Sequence, residues 1–363
     1  KKREQADALG YEDSPYDALL DLYEPGMRTA QVAALFAQLK KELLPLVAAI
    51  AERQDLIDDS PMRQHFPEAL QWQLCLRALD LMGFDMQRGR LDRAEHPFTT
   101  HFSSRDVRLT TNIKPTYLCQ GLLSVMHEGG HGLYEQGIPW DFRRTPLAQG
   151  ATLTVHESQS RLWENIVGRS LLFWQHFLPV ARELFPSQLS GVSVKEVYRA
   201  VNRVEPSPVR CDADEVTYNL HIFIRFELEQ ELLSGELLVA DLPEAWNHKY
   251  RSYLGITPPD DSLGVLQDVH WANGLFGYFP TYALGNILSV QLWETMQHES
   301  GLADELVKGR FRAISTWLKE NVYIHGAKFT TEELTERVTG GPLAVEATAH
   351  YLQTKYGELY GLV

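Results

Sequence analysis

The 363-residue sequence is long enough to bury a sizeable core, and its 44% hydrophobic and 23% charged content is that of an ordinary folded protein. A net charge of -14 argues against nucleic acid as a partner, because a phosphate-binding surface needs a surplus of Lys and Arg. No apolar stretch reaches membrane-spanning length, and the three widely spaced cysteines, Cys75, Cys119 and Cys211, read as reduced thiols of a cytoplasmic protein.

Helical rhythm dominates the chain. After the turn at Glu24-Pro25-Gly26, residues 29–53 place Val32, Leu35, Phe36, Leu39 and Leu43 on one stripe, and residues 62–82 repeat the pattern. Between 97 and 113 the period changes to alternation. Phe98, Thr100 and Phe102, then Val107, Leu109 and Thr111, flank Ser103-Ser104-Arg105-Asp106 and predict a β-hairpin. Helices are expected again at about 115–136, 154–177, 194–204, 214–234, 243–254, 280–297, 302–320 and 331–337. Clusters such as Glu205-Pro206-Ser207-Pro208 and Thr257-Pro258-Pro259-Asp260 separate them. With no repeat and no long linker, residues 1–363 read as a single domain, mainly α with one small antiparallel β-sheet.

Chemistry concentrates in His127-Glu128-Gly129-Gly130-His131, inside the helix expected from Pro115 onward. A spacing of four puts His127 and His131 on one helical face, where both imidazoles can reach one ion. Glu128 is rotated by about 100° from His127 and can act on a metal-bound water without being a ligand. Two glycines inside a helix cost about 1 kcal/mol each relative to alanine, which points to the close approach of another backbone or a ligand. A catalytic metal needs a third protein ligand and an open position. The segment Val155-His156-Glu157-Ser158-Gln159-Ser160-Arg161-Leu162-Trp163-Glu164 offers Glu157, which shares a helical face with Arg161 and Glu164. His156 is a rival that spacing does not exclude. An exposed Glu157–Arg161 ion pair is the bland alternative.

Six separated motifs, in order, resemble the M32 family of metallocarboxypeptidases. They are His96-Pro97-Phe98; Asp106, Arg108 and Thr110 of Asp-x-Arg-x-Thr; the histidine motif; His156-Glu157-Ser158-Gln159; Arg210 and Ala213 of Arg-x-x-Ala; and Gly264-x-x-Gln267-Asp268-x-His270-Trp271. The resemblance covers essentially the whole chain. It implies His127, His131 and Glu157 as ligands of one zinc per chain, with cobalt as a possible substitute, and Glu128 as general base. It also implies a homodimeric enzyme that removes single C-terminal residues from peptides with broad specificity, and a two-lobed helical fold with a deep groove. Family members carry a further helical region ahead of the point where this sequence starts. Its absence is expected to leave apolar surface exposed.

A carboxypeptidase must also bind a free α-carboxylate, which arginine does bidentately. Arg210 matches the family's arginine motif, although Asp212, Asp214 and Glu215 beside it allow a structural ion pair. Arg108, on the hairpin, could bind substrate or hold its neighbours. The aromatic segment 270–282 offers donors for the oxyanion of the reaction: Tyr282 or His270, with Tyr278 in reserve. The hairpin could hold an extended peptide along its edge, with His96 at the groove wall.

Overall fold

The computed structural model describes residues 1–298 and 301–362. In chain order, α1 (Lys2–Leu9), α2 (Pro15–Leu20), α3 (Thr29–Ala51) and α4 (Glu68–Met82) precede β1 (Gly89–Arg93), β2 (Thr99–Ser103) and β3 (Asp106–Thr111). Then come α5 (Leu118–Gly137), α6 (Leu153–Arg161), a π-helical turn over Leu162–Val167, α7 (Leu171–Leu184), α8 (Val194–Val201) and α9 (Tyr218–Ser234). The rest comprises α10 (Leu242–Leu254), α11 (Pro280–His298), α12 (Leu302–Val307), α13 (Arg312–Asn321), α14 (Thr331–Thr339) and α15 (Glu346–Tyr360). Among the described residues no helix is long and apolar enough to cross a membrane.

Local chemistry explains many of the boundaries. The Ser14 hydroxyl caps α2 ahead of Pro15, and Thr152 caps α6 by accepting from the Val155 amide. Capping boxes open α8, with Ser193 and Glu196, and α14, with Thr330 and Glu333. The expected stripe on α3 is buried at Val32, Phe36, Leu39 and Leu43, while Leu35 stays half-buried.

The hairpin forms as β2 and β3, antiparallel, with Thr99 opposite Leu109 and Thr100 opposite Arg108. The sheet has one strand more than the alternation predicts. β1 pairs parallel to β3, with Leu91 beside Leu109, so β3 is central, β2 is an edge and the sheet is mixed rather than antiparallel throughout.

The chain divides into two compact units. One comprises Lys1–Leu56, Val204–Leu284 and the segment from Ala344 onward. Here α9 packs against α2, α3 and α10, burying Leu19, Phe36, Phe223, Phe226, Trp246 and Tyr250. The other comprises Ile57–Arg203 and Gly285–Leu343. Its core gathers Leu79, Met82, Leu109, Leu122, Met126, Val155, Trp163 and Phe173 around α5, which lies against α4, α6 and the sheet.

Missing side chains make that packing possible. A Cβ on Gly130 of α5 would overlap the Gln159 carbonyl oxygen and stand 2.7 Å from Ser160 Cα of α6. A Cβ on Gly285 of α11 would stand 2.7 Å from Glu157 Cβ. The close approach anticipated at the paired glycines is the backbone of α6 at Gly130, whereas Gly129 faces the side chains of Leu79 and Met82 on α4. Gly130→Ala and Gly285→Ala are each expected to cost about 1–3 kcal/mol by overpacking. Gly341→Ala, where an added Cβ meets nothing within 4 Å, should stay within about 0.5 kcal/mol of the parent. Denaturant unfolding checks this, and equal stability of all three variants would contradict it.

Candidate functional site

In the second unit, α5 presents His127 and His131 one turn apart, and α6 presents Glu157 across the Gly130 contact. One ligand atom from each lies within 4.8 Å of the others. His131 Nε2 is 3.4 Å and His127 Nε2 3.8 Å from the same oxygen, Glu157 Oε2.

The remaining ring nitrogens fix which atoms face that point. His127 Nδ1 lies 2.9 Å from Glu164 Oε2, so the ring donates there and leaves a lone pair on Nε2. His156 Nε2 lies 2.7 Å from Glu135 Oε1, so His156 donates to Glu135 and accepts at Nδ1. His131 Nδ1, 2.6 Å from His156 Nδ1, must then be the donor, which leaves its Nε2 with a lone pair. His156, the rival candidate, thus has both nitrogens engaged behind His131, while Glu157 completes the cluster.

Two imidazole nitrogens and a carboxylate oxygen form a donor set that suits a divalent metal. A tetrahedral ion with bonds of about 2.0–2.1 Å needs donors about 3.3 Å apart, close to the separations from Glu157 Oε2. The residues fit a metal.

Glu164, which meets His127, lies in the π-helical turn at Leu162–Val167 that follows α6, a distortion that recurs at functional sites. Arg161 joins the two acids. Its Nε donates to Glu157 Oε1 at 2.6 Å and its Nη1 to Glu164 Oε2 at 3.3 Å. The Glu157–Arg161 pair therefore exists, but it is buried rather than solvated. Burial opposes charge on Glu157, yet Arg161, His127 and His131 hold its carboxyl well below the usual carboxylate range. Burial likewise opposes charge on Glu164, and Arg161 with the hydrogen bond to His127 takes it down to about 2. At His127 Glu157 and Glu164 outweigh burial and raise the pKa; at His131 burial prevails and lowers it.

Glu128 is buried, and its Oε2 accepts a 2.6 Å hydrogen bond from the Thr99 hydroxyl on the edge strand β2. The same hydroxyl lies 3.1 Å from the Glu128 carbonyl oxygen. Thr99 follows His96-Pro97-Phe98 directly and was not singled out from the sequence. His96 itself is exposed just ahead of β2. Arg108 forms a bidentate pair with Asp106, both bonds 2.9 Å, and its guanidinium lies over the Phe102 ring. It braces the hairpin.

The other expected residues gather in the first unit. Arg210 is buried, and the acid it pairs with is distant in sequence. Its Nε and Nη2 donate to Asp268 Oδ1 at 2.9 and 2.8 Å, and its Nη1 to the Tyr218 hydroxyl at 3.0 Å. Arg225 holds the other oxygen of Asp268 at 2.6 Å. Gln267 Oε1 accepts from the Arg210 amide and from Arg225. Asp214 instead accepts from the Val216 and Thr217 amides just ahead of α9, and Glu215 pairs with Lys355. His270 Nε2 lies 3.0 Å from the Tyr282 hydroxyl, the Tyr278 ring packs against His270, and the Arg210 guanidinium lies 5.0 Å from the centre of the Tyr282 ring. The structure thus brings His127, Glu128, His131 and Glu157 together in one unit, and Arg210, His270, Tyr278 and Tyr282 in the other.

Comparison with known proteins agrees with this chemistry. Residues 1–356 match the family described as carboxypeptidase Taq (M32) metallopeptidase. The thermostable carboxypeptidase 1 of Thermus thermophilus is 47% identical over 347 residues, 95% of this chain and 68% of that protein. Carboxypeptidase 1 of Bacillus subtilis is 42% identical over 97% of this chain and 70% of its own length. The crystal structure of an M32 carboxypeptidase from Deinococcus radiodurans R1 superposes with a TM-score of 0.96 at 42% identity, covering 99% of this chain and 73% of that one.

Asp268 serves two buried guanidinium groups, so removing its charge should be expensive. Asp268→Asn is expected to destabilise the protein by about 3–5 kcal/mol, the cost of leaving a buried charge uncompensated. Denaturant unfolding measures it; a loss below about 1 kcal/mol would show that the arginines find other partners.

Proposed function

This chain belongs to the carboxypeptidase Taq (M32) family and is a metal-dependent peptide hydrolase, and we propose that it releases single residues from the free C-termini of peptides, with broad specificity, using zinc held by His127, His131 and Glu157. The observation behind this is the convergence of two Nε2 lone pairs and one carboxylate oxygen on a single point. Zinc suits that donor set, one ion per chain, and cobalt can replace it.

When bound, the ion polarises the scissile carbonyl and makes water at the site more acidic. Glu128 is the general base. It takes a proton from the attacking water and hands it to the departing amine. Thr99 holds that carboxylate in place from β2. Tyr282 or His270, joined to each other by a 3.0 Å hydrogen bond, donates to the developing oxyanion, with Tyr278 against the His270 ring in reserve. Arg210, oriented by Asp268 and Tyr218, binds the α-carboxylate. The edge strand β2 supplies main-chain hydrogen bonds to an extended peptide, flanked by His96 and Arg108. Such bonds carry little side-chain preference, in keeping with broad specificity. The three free cysteines fit a cytoplasmic location, and the resemblance to the family supports a homodimer.

Glu128→Gln is expected to lower turnover by at least about 10²-fold while about one equivalent of zinc stays bound. Full activity in that variant would sink the mechanism. Glu164→Gln, which spoils the acceptor for His127 Nδ1, should weaken zinc binding by about 10–100-fold in competition with a chelator. A peptide with a free C-terminus should lose residues stepwise while its C-terminally amidated twin survives. Internal cleavage of the amidated peptide would replace the carboxypeptidase with an endopeptidase.

A further inference from the structure

Glu229 is fully buried in α9, one turn beyond Arg225, and has no part in the chemistry described so far. Its two oxygens accept three hydrogen bonds. Oε2 takes the Tyr16 hydroxyl of α2 at 2.6 Å and the Gly277 amide at 3.1 Å; Oε1 takes the Trp271 indole N–H at 2.7 Å. The last two donors stand at opposite ends of the segment 271–277, which joins His270 to Tyr278 and Tyr282. Both ends of that segment hang on one carboxylate.

The far side of the segment is equally constrained. Gly277 adopts φ +86°, and a Cβ there would stand 2.6 Å from the Leu19 carbonyl carbon and oxygen. The Trp271 ring meets Trp246 edge-on at 5.9 Å, and the His270 ring lies 4.4 Å from that of Phe279. Within the segment, the Leu275 amide closes a turn onto the His270 carbonyl at 2.8 Å. The 3.0 Å contact of His270 with Tyr282 is therefore set by backbone that Glu229 anchors.

A buried carboxylate is a costly way merely to fill space, since an apolar side chain of similar volume is often at least as stabilising. What it supplies instead is direction, with three donors held at defined points. Burial pushes Glu229 up to about 7, against the opposing pull of Tyr16, Trp271, Gly277 and the charge of Arg225.

We propose that Glu229 is a positioning residue for the peptidase reaction: through Trp271 and Gly277 it sets the 270–282 segment so that the hydrogen-bonded pair of His270 and Tyr282 meets the substrate as a unit. This rests on the assignment of His270 and Tyr282 as substrate-facing groups. A residue that acts through Tyr282 must lose its effect when the Tyr282 hydroxyl is gone, whereas one that only stabilises the fold must not.

The test is a double-mutant cycle on the zinc-loaded protein with a free-ended peptide at pH 8. kcat and KM are measured for the parent, Glu229→Gln, Tyr282→Phe and the double variant, with zinc content determined for each. Glu229→Gln is expected to lower kcat/KM by about tenfold, and the double variant to lose no more than Tyr282→Phe alone, with zinc unchanged. Losses that multiply in the double variant, or an unaltered kcat/KM in Glu229→Gln, would overturn the proposal alone. Full kcat/KM in both Tyr282→Phe and His270→Ala would overturn the substrate assignment and the proposal with it. If Glu229→Gln does not fold, Trp271→Phe removes one of the three donors and enters the same cycle: a loss absent from the Tyr282→Phe background supports the proposal, and a multiplying loss overturns it.

Discussion

Arg161 lies between two carboxylates that burial alone would drive toward the neutral form. Glu157 must be ionised to take part in a metal site, and Glu164 must accept from His127 to aim that ring. One guanidinium meets both needs, donating to Glu157 through Nε and to Glu164 through Nη1. Glu157 and Glu164, seven residues apart, lie on one side of the helix, and the π turn that follows Arg161 carries Glu164 to His127. Both acids are thereby held in the charged form that the ligand set requires.

Helix contact is the second condition. α6 can present Glu157 only by lying against α5 more closely than a Cβ at Gly130 would permit, and α11 meets Glu157 at Gly285. Glycine inside two helices is a loss of local stability. The gain is a ligand set carried on packed helices, whose atoms are held far more tightly than loops would hold them.

Much of this could be read in advance, and the limits were physical. A spacing of four is a helical period, so His127 and His131 declared themselves; of the two glycines between them, Gly130 meets a neighbouring backbone and Gly129 meets the side chains of Leu79 and Met82. Glu157 and His156 are adjacent on one helix, and periodicity could not divide them; the hydrogen-bond chain from His131 through His156 to Glu135 does. Thr99 and Glu128 are 29 positions apart, Arg210 and Asp268 58 apart, and no local pattern reports such pairings. β1 was invisible because Gly89-Arg90-Leu91-Asp92-Arg93 has a single large apolar residue. α15 hid for the opposite reason, since it buries Thr348, Lys355 and Gly357 along with its apolar side chains and so shows no clean stripe. The short α1 and α2 offered too few turns for a period to register.

The family motifs take on a physical division of labour. Asp106 braces Arg108, while Gln267 and Asp268 hold Arg210 and Arg225. In these motifs Asp106, Gln267 and Asp268 thus hold arginines in place. Three ligand atoms define the metal site, and locating the metal tests them most directly. Anomalous diffraction from zinc-loaded crystals should place one ion about 2.0–2.1 Å from Nε2 of both His127 and His131 and within bonding distance of Glu157. An ion bound through Nδ1 of either histidine, or one that takes His156 in place of Glu157, would contradict the account.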